Sequence, residues 1–138
     1  ICSRLGVKSG LKFKEPLIEF YYKNDNLGDP IVNDSHISLL EWSTHTELKQ
    51  VKVFALEVNN ILSRYFLKVG ITLIDLKLEF GRVKVDNRLV VADEISPDSC
   101  RLCDAISQEK FDKDIFRFDT GDLVSSYRKL AKRLGVIL

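Results

Sequence analysis

From Ile74 to Phe80 the chain alternates strictly between apolar and charged residues, with Ile74, Leu76, Leu78 and Phe80 set against Asp75, Lys77 and Glu79. A repeat of two predicts a half-buried β-strand, its apolar side chains toward a core and its charged ones on the other face, roughly 7 Å apart. Upstream, Leu48, Val51, Ala55, Val58, Leu62, Tyr65, Phe66 and Val69 recur at helical spacing. Thr44-His45-Thr46-Glu47 fits a capping box at the start of that helix, and Gly70 a stop at its end. Its apolar stripe is expected to pack on the sheet that contains residues 74–80. Downstream, 82–85 continue extended, Asp86-Asn87 offers turn chemistry, and Arg88 to Glu94 return as a second strand. The expected unit is a β-hairpin. A two-residue loop at Asp86-Asn87 would set Glu79 opposite Glu94, whereas a three-residue loop from Val85 to Asn87 would set it opposite Asp93. Both registers stay open, and a bulge would shift either.

The remaining pattern is less regular. Residues 16–22 predict a strand, followed by the turn-rich Lys23-Asn24-Asp25-Asn26-Leu27-Gly28-Asp29-Pro30, a solvated connection or a ligand-facing loop. Asn33 or Asp34 can cap a short helix through Trp42, in which His36, like His45 in the next helix, reads as a surface residue. Residues 95–101 leave the hairpin through a turn, and 111–117 form a charged, aromatic connection without a clean period. Asp119 or Thr120 can cap a last helix to about Leu134, with Leu123, Val124, Tyr127, Leu130, Ala131 and Leu134 as its stripe and Gly135 as its stop. Arg128, Lys129, Lys132 and Arg133 suit the C-terminal end of its dipole. Together these elements predict one α+β domain over residues 1–138, an antiparallel sheet with helices packed on one face.

Composition narrows the function classes. The 138 residues are 45% hydrophobic and 30% charged, an ordinary globular balance. A net charge of +1 gives no support to a nucleic-acid or membrane-surface binder. No apolar run reaches the length of a membrane span, and nothing at the start resembles a secretory signal. There is no methionine, and Ile1 to Gly6 reads as the end of a helix, so the expectation is a piece of a longer protein, with removal of an initiator Met as the alternative. Cys2, Cys100 and Cys103 are an odd number and suit a reducing compartment. Cys100-Arg101-Leu102-Cys103 is formally CxxC, but it lacks the partners of a zinc site and the helix start of a redox pair, so free thiols are favoured.

The hairpin is where chemistry enters. Either register puts two carboxylates side by side, and at about 4 Å such charges repel by roughly 4 kcal/mol at an effective dielectric near 20. Like charges across a ladder call for a neutraliser. Lys77 is one, and a hard divalent cation such as Mg²⁺, held by one or two carboxylates plus substrate phosphates, is another.

Two stretches carry a resemblance. Leu73-Ile74-Asp75-Leu76-Lys77-Leu78-Glu79-Phe80-Gly81 and Leu89-Val90-Val91-Ala92-Asp93-Glu94-Ile95-Ser96-Pro97-Asp98-Ser99-Cys100-Arg101 resemble the two signatures of the SAICAR synthetase family. Supporting similarity runs through 19–25, 28–30, Asp112-Lys113-Asp114 with Arg117, and 133–136, so it covers essentially the whole chain. The resemblance implies an ATP-dependent ligase that joins carboxyaminoimidazole ribonucleotide to L-aspartate in purine biosynthesis, through an acyl phosphate. It implies Mg²⁺ and ATP at Glu79 and Asp93, with Lys77 facing the reacting carboxylate and phosphate groups. Asp75 is placed with Lys77 at the catalytic centre, and Glu94 belongs to the second motif. Arg101 matches an arginine that binds the ribonucleotide phosphate, and Lys23, Asp25, Asp29, Lys113 and Arg117 match residues lining or supporting the substrate cleft. In family terms the chain is the substrate- and metal-binding C-terminal portion, without the N-terminal lobe that forms much of the ATP pocket. By itself it is expected to turn over little or nothing. The family further implies a cytoplasmic protein without nucleic-acid or membrane partners, and leaves room for a homo-oligomer.

Two other classes compete. A small-molecule kinase would also gather Lys, Glu and Asp around Mg-ATP, and amine dependence separates it from a ligase. A non-catalytic interaction domain would leave the charged face merely wet.

Overall fold

The computed structural model describes residues 1–8, 10–118 and 121–136, with Phe116 described in its backbone only. It divides into two compact units, Ile1–Lys52 and Val53–Leu138.

In the first unit a four-residue helix, α1 (Cys2–Leu5), ends at Gly6 in the left-handed conformation. The predicted strand over 16–22 is reduced to β1 (Phe20–Tyr21), paired antiparallel with β2 (Ile31–Val32). Between them Asp25–Leu27 forms one 3-10 turn. Helix α2 (Asp34–Leu39) is capped by Asn33, whose side chain accepts the His36 N–H at 3.0 Å, while His36 Nδ1 accepts the Asn33 N–H at 3.3 Å. His36 is therefore a capping residue, a use of histidine that its exposure alone does not suggest. The helix stops short of Trp42, which instead stacks on Tyr22 with ring centroids 4.1 Å apart.

Helix α3 (His45–Lys68) has the predicted capping box: Thr44 Oγ1 accepts the Glu47 N–H at 3.2 Å and Glu47 Oε2 accepts the Thr44 N–H at 2.9 Å. Gly70 at φ 72° ends it, a conformation that L side chains rarely adopt.

In the second unit the expected antiparallel pairing is divided over two ladders. β3 (Ile71–Leu76) pairs with β6 (Cys100–Asp104), and β4 (Leu78–Arg82) pairs with β5 (Leu89–Glu94). Phe66, Ile71, Cys100, Leu102, Phe111 and Leu130 form the core, with Leu62, Val69, Leu73, Leu76 and Leu134 packed against it. From the predicted stripes, Leu62, Phe66 and Val69 at the end of α3 and Leu130 and Leu134 of α5 (Leu123–Arg133) and its cap meet β3 and β6, whereas Tyr65 and Val124 are exposed. Phe111, fully buried, comes from the stretch without a period, which also contains the single-turn helix α4 (Asp114–Arg117). Emptying a site like Phe111 to Ala typically costs about 3–5 kcal/mol.

The uninterrupted strand over 74–80 is corrected in two places. A bulge lies between Leu73 and Asp75, so Ile74 is the extra residue and is 56% exposed rather than in the core. The strand then breaks at Lys77, where pairing passes from β6 to β5. Alternation in sequence cannot reveal a change of partner, because both ladders have the same period of two. The loop predicted over 95–101 is also shorter than expected, since its last residues begin β6. Helix α5 is capped by Asp122, which accepts the Val124 N–H at 3.0 Å, and Gly135 follows it at φ 79°. The cap is thus Asp122 rather than the predicted Asp119 or Thr120, which lie outside the described residues. Among the described residues no helix is long and apolar enough to cross a membrane.

Candidate active site

The hairpin settles the register left open by the sequence. Glu79 pairs with Asp93 and Leu78 with Glu94, and a bulge between Glu79 and Phe80 makes Ala92 the extra residue. The closing pair is Val83 with Arg88, joined by a hydrogen bond of 3.0 Å, so the loop is four residues rather than two or three. The bulge then returns Glu79 to Asp93, the partner that the three-residue loop would have given.

Lys77 sits at the junction of the two ladders. Its backbone N–H donates to the Ser99 carbonyl at 2.8 Å, continuing the line of β3 and β6. Its side chain belongs to the hairpin, with Nζ 2.7 Å from Glu79 Oε1 and 3.2 Å from Glu94 Oε1. The hydrogen bond to Glu79 outweighs desolvation, and with Glu94 it holds the ammonium above the ordinary lysine value. Asp93 Oδ1 accepts the Glu94 N–H at 2.7 Å. Beyond it the backbone turns sharply, with Glu94 at φ 91° and Ile95 at φ 72°. A β-branched residue there is under strain, and such conformations cost on the order of 1–3 kcal/mol each.

Arg101 on β6 forms a second centre two residues from Lys77 across the β3 end. Its Nη1 is 2.8 Å from Asp75 Oδ2, and its Nε is 2.8 Å from Asp114 Oδ2. Asp75 first and Asp114 second raise the guanidinium pKa further. Arg117 Nη1 lies 3.3 Å from the other oxygen of Asp114. Burial alone would raise the Asp114 carboxyl, but Arg101 and Arg117 outweigh it and hold the group below the usual aspartate range. Asp112, 1% exposed, accepts the Leu102 N–H and the Asp114 N–H, each at 2.9 Å.

The loop after β5 is tied to α5. Tyr127 donates its hydroxyl to Asp98 Oδ1 at 2.6 Å, and burial, with that bond, raises the phenol pKa. Asp98 N–H in turn donates to Ser96 Oγ at 3.2 Å.

The sequence-predicted residues therefore fall into groups. Lys77, Glu79, Asp93 and Glu94 share the hairpin end, and Asp75, Arg101 and Arg117 share the neighbouring network. Lys113 is half-buried in the turn before α4, where its carbonyl accepts the Arg117 N–H at 3.0 Å. Lys23, Asp25 and Asp29 belong to the first unit, where Lys23 Nζ is 2.5 Å from Asp25 Oδ1 and 3.7 Å from Asp29 Oδ2. Asp29 also accepts the Asn24 N–H at 2.8 Å, which folds the loop back on itself. Sequence reasoning missed the anchoring parts of Asp112, Asp114 and Tyr127. The available signal was a pair of aspartates beside a phenylalanine in a segment otherwise unreadable by period. Cys100 and Cys103 are buried on β6, and burial raises both thiols, the opposite of a reactive cysteine.

Two carboxylates facing each other across a ladder, with an ammonium shared by one of them and a third, can organise a phosphoryl-transfer centre. A fixed guanidinium beside them suits a phosphate. Glu79 and Asp93 are hard oxygen donors on adjacent strands, a donor set that fits Mg²⁺ rather than a softer metal.

Comparison with known proteins identifies the family. The family model described as SAICAR synthetase matches residues 1–134. A phosphoribosylaminoimidazole-succinocarboxamide synthase of Anoxybacillus flavithermus is 50% identical over 135 residues, which are 98% of this chain and 56% of that protein. The crystal structure of the synthase from Ehrlichia chaffeensis superimposes with a TM-score of 0.93 at 45% identity, covering 99% of this chain and 59% of that one. A SAICAR synthetase in complex with ADP superimposes at 0.89 with 47% identity, covering 96% of this chain and 56% of that one. The chain thus spans a little over half the length of the relatives it matches.

Proposed function

Because this chain belongs to the SAICAR synthetase family, we propose that the protein carrying it joins carboxyaminoimidazole ribonucleotide to L-aspartate with cleavage of ATP to ADP and phosphate. The observation that carries the proposal is Lys77 bridging Glu79 and Glu94 at the end of a ladder that sets Asp93 against Glu79. The relative bound to ADP supports a nucleotide as cosubstrate.

The chemistry follows from the substrates. A carboxylate is a poor acylating agent, so its oxygen attacks the terminal phosphorus of ATP and ADP leaves. The aspartate amine then attacks the acyl carbon, the C–O bond to phosphate breaks, and the nitrogen loses a proton. Lys77 places positive charge beside the oxygens that share charge during transfer, an electrostatic contribution of the kind that is usually the largest in such reactions. Glu79 and Asp93 would hold Mg²⁺, which neutralises phosphate charge when bound. Arg101 would take the ribonucleotide phosphate, with Arg117 and Lys113 behind it. The family resemblance assigns Asp75 to the catalytic centre and Lys23, Asp25 and Asp29, on the first unit, to substrate binding. A cytoplasmic location belongs to the same reading, and so does the expectation that residues 1–138 alone turn over little.

The test is product formation by the full-length protein. ADP release that requires both the ribonucleotide and aspartate, with appearance of the succinocarboxamide product, supports the ligase. Phosphorylation of a small molecule without aspartate would transfer the site to the kinase class. Product formation by residues 1–138 alone would overturn the expected dependence on further chain.

A further inference from the structure

Arg101 is held by two carboxylates that differ in kind. Asp114 is buried, its side chain 7% exposed, and it engages Nε at 2.8 Å. Asp75 is 52% exposed and engages Nη1 at 2.8 Å. Asp114 is itself fixed from behind: its N–H is accepted by Asp112 Oδ1, and Asp112 Oδ2 accepts the N–H of Leu102, the residue next to Arg101 on β6. Backbone and side chain of the arginine are thereby tied to one buried aspartate pair. A guanidinium offers separate Nε and Nη edges. An incoming anion at the Nη edge competes with exposed Asp75, whereas Asp114 on Nε is out of its way.

We propose that Asp114 is a positioning residue that locks Arg101 through Nε and presents its Nη edge to the phosphate of the ribonucleotide, while Asp75 is the counter-ion that this phosphate displaces. The identity of the substrate rests on the proposed function, but the arrangement itself rests on the geometry of Arg101. Arg117 supports it by neutralising the second oxygen of Asp114, which leaves that carboxylate ionised in its buried position.

The experiment uses the full-length protein and two readouts. The first is the set of KM values for ribonucleotide, ATP and aspartate. Asp114→Asn is expected to raise the ribonucleotide KM about 10- to 30-fold with the other two within about twofold; tenfold corresponds to about 1.4 kcal/mol. In an Arg101→Lys background, which has no Nε fork, Asp114→Asn is expected to add less than about twofold. Equal changes in all three KM values, no change, or a full effect in the Arg101→Lys background would overturn the inference. The second readout is the Kd of ribose 5-phosphate, which needs no turnover. It should rise in Asp114→Asn and fall several-fold in Asp75→Asn, where the competing charge is gone. Should wild-type protein form no product, the proposed function fails, while an unchanged ribose 5-phosphate Kd in Asp114→Asn separately overturns the role of Asp114. If Asp114→Asn does not fold, Asp114→Glu serves, with an expected three- to tenfold rise in both readouts and an unchanged value counting against the proposal.

Discussion

The hairpin end around Lys77 and the β3–β6 face around Arg101 use the same residue types and stand next to each other in the chain, yet they are built on opposite terms. Around Arg101 the carboxylates are matched: Asp75 and Asp114 meet Arg101, Asp114 also meets Arg117, and buried Asp112 is saturated by two backbone N–H groups. Around Lys77 one ammonium meets Glu79 and Glu94, and Asp93 is the ladder partner of Glu79. The backbone there is strained at Glu94 and Ile95. The network around Arg101 is anchored from a buried aspartate pair, whereas the carboxylates around Lys77 gather at a strained strand end. Backbone strain of this kind persists where surrounding structure holds it in place.

The largest expected difference between the two regions is therefore catalytic. Lys77→Ala in the full-length protein should reduce kcat/KM by about a thousandfold, roughly 4 kcal/mol of transition-state stabilisation. Its folding stability should change by no more than about 1 kcal/mol, because the ammonium end of each pair it loses is half exposed to water. Steady-state kinetics and urea denaturation on one preparation check both halves. Activity within tenfold of wild type would remove Lys77 from the centre.

The converse belongs to Asp112. Asp112→Ala leaves two N–H groups, those of Leu102 and Asp114, without their acceptor in the buried region. The expected loss is about 2–6 kcal/mol in urea denaturation, at about 1–3 kcal/mol for each of the two unsatisfied groups. A loss under about 1 kcal/mol would mean that the network is not the stabilising half of the pair.

These two residues also show what the sequence could reveal. Lys77 was legible because Asp75, Lys77 and Glu79 repeat with a strand's period beside a second carboxylate-bearing strand, and the motif resemblance then assigned a reaction. The long helix was legible for the same reason, down to Thr44 and Glu47 in its capping box. Asp112 and Asp114 were not, because their role is set by Leu102 and Arg101, ten and thirteen residues away, across a ladder that period cannot show. The bulges at Ile74 and Ala92 escaped likewise: each inserts a residue without disturbing composition, and the one at Ala92 moves Glu79 from Ala92, which the regular register would give, to Asp93. Local pattern specifies elements, whereas partner choice between equally periodic strands is a tertiary property.

A smaller effect sharpens the boundary between the regions. Tyr127→Phe removes the hydroxyl that α5 offers to Asp98 at 2.6 Å, in the loop joining β5 to β6. The expected loss is about 1–2 kcal/mol, as for a hydrogen bond to a charged group with some of its surface still wet. If the loop serves the hairpin site, kcat should also fall several-fold; an unchanged kcat with that loss of stability would confine the contact to folding.

The finest discrimination comes from pH. Asp104 accepts N–H bonds from Ser107 and Ile106 and is paired with Arg133, which holds its carboxyl well below the usual aspartate range. Asp114 is lowered as well, by Arg101 and Arg117 against the effect of burial. A carboxyl whose folded pKa is depressed contributes stability that is complete above the unfolded value, near 4, and is lost as pH falls through the folded one. The acid limb of the stability profile should therefore begin below about pH 4 and become shallower in Asp104→Asn and Asp114→Asn. On the alkaline side the signs reverse. Burial raises the thiols of Cys100 and Cys103, so the unfolded chain loses those protons first, and stability falls as pH rises above about 8.5. Lys77, also raised, holds its contribution until pH passes the ordinary lysine value near 10.4 and loses it above. Urea denaturation from pH 2.5 to 11 checks the sequence: Asp104→Asn and Cys100→Ser should each flatten one limb, and Lys77→Met should alter only its far alkaline end. An acid limb unchanged in Asp104→Asn and Asp114→Asn together would break the division, since the β3–β6 face would then lack the ionic matching that sets it apart from the hairpin.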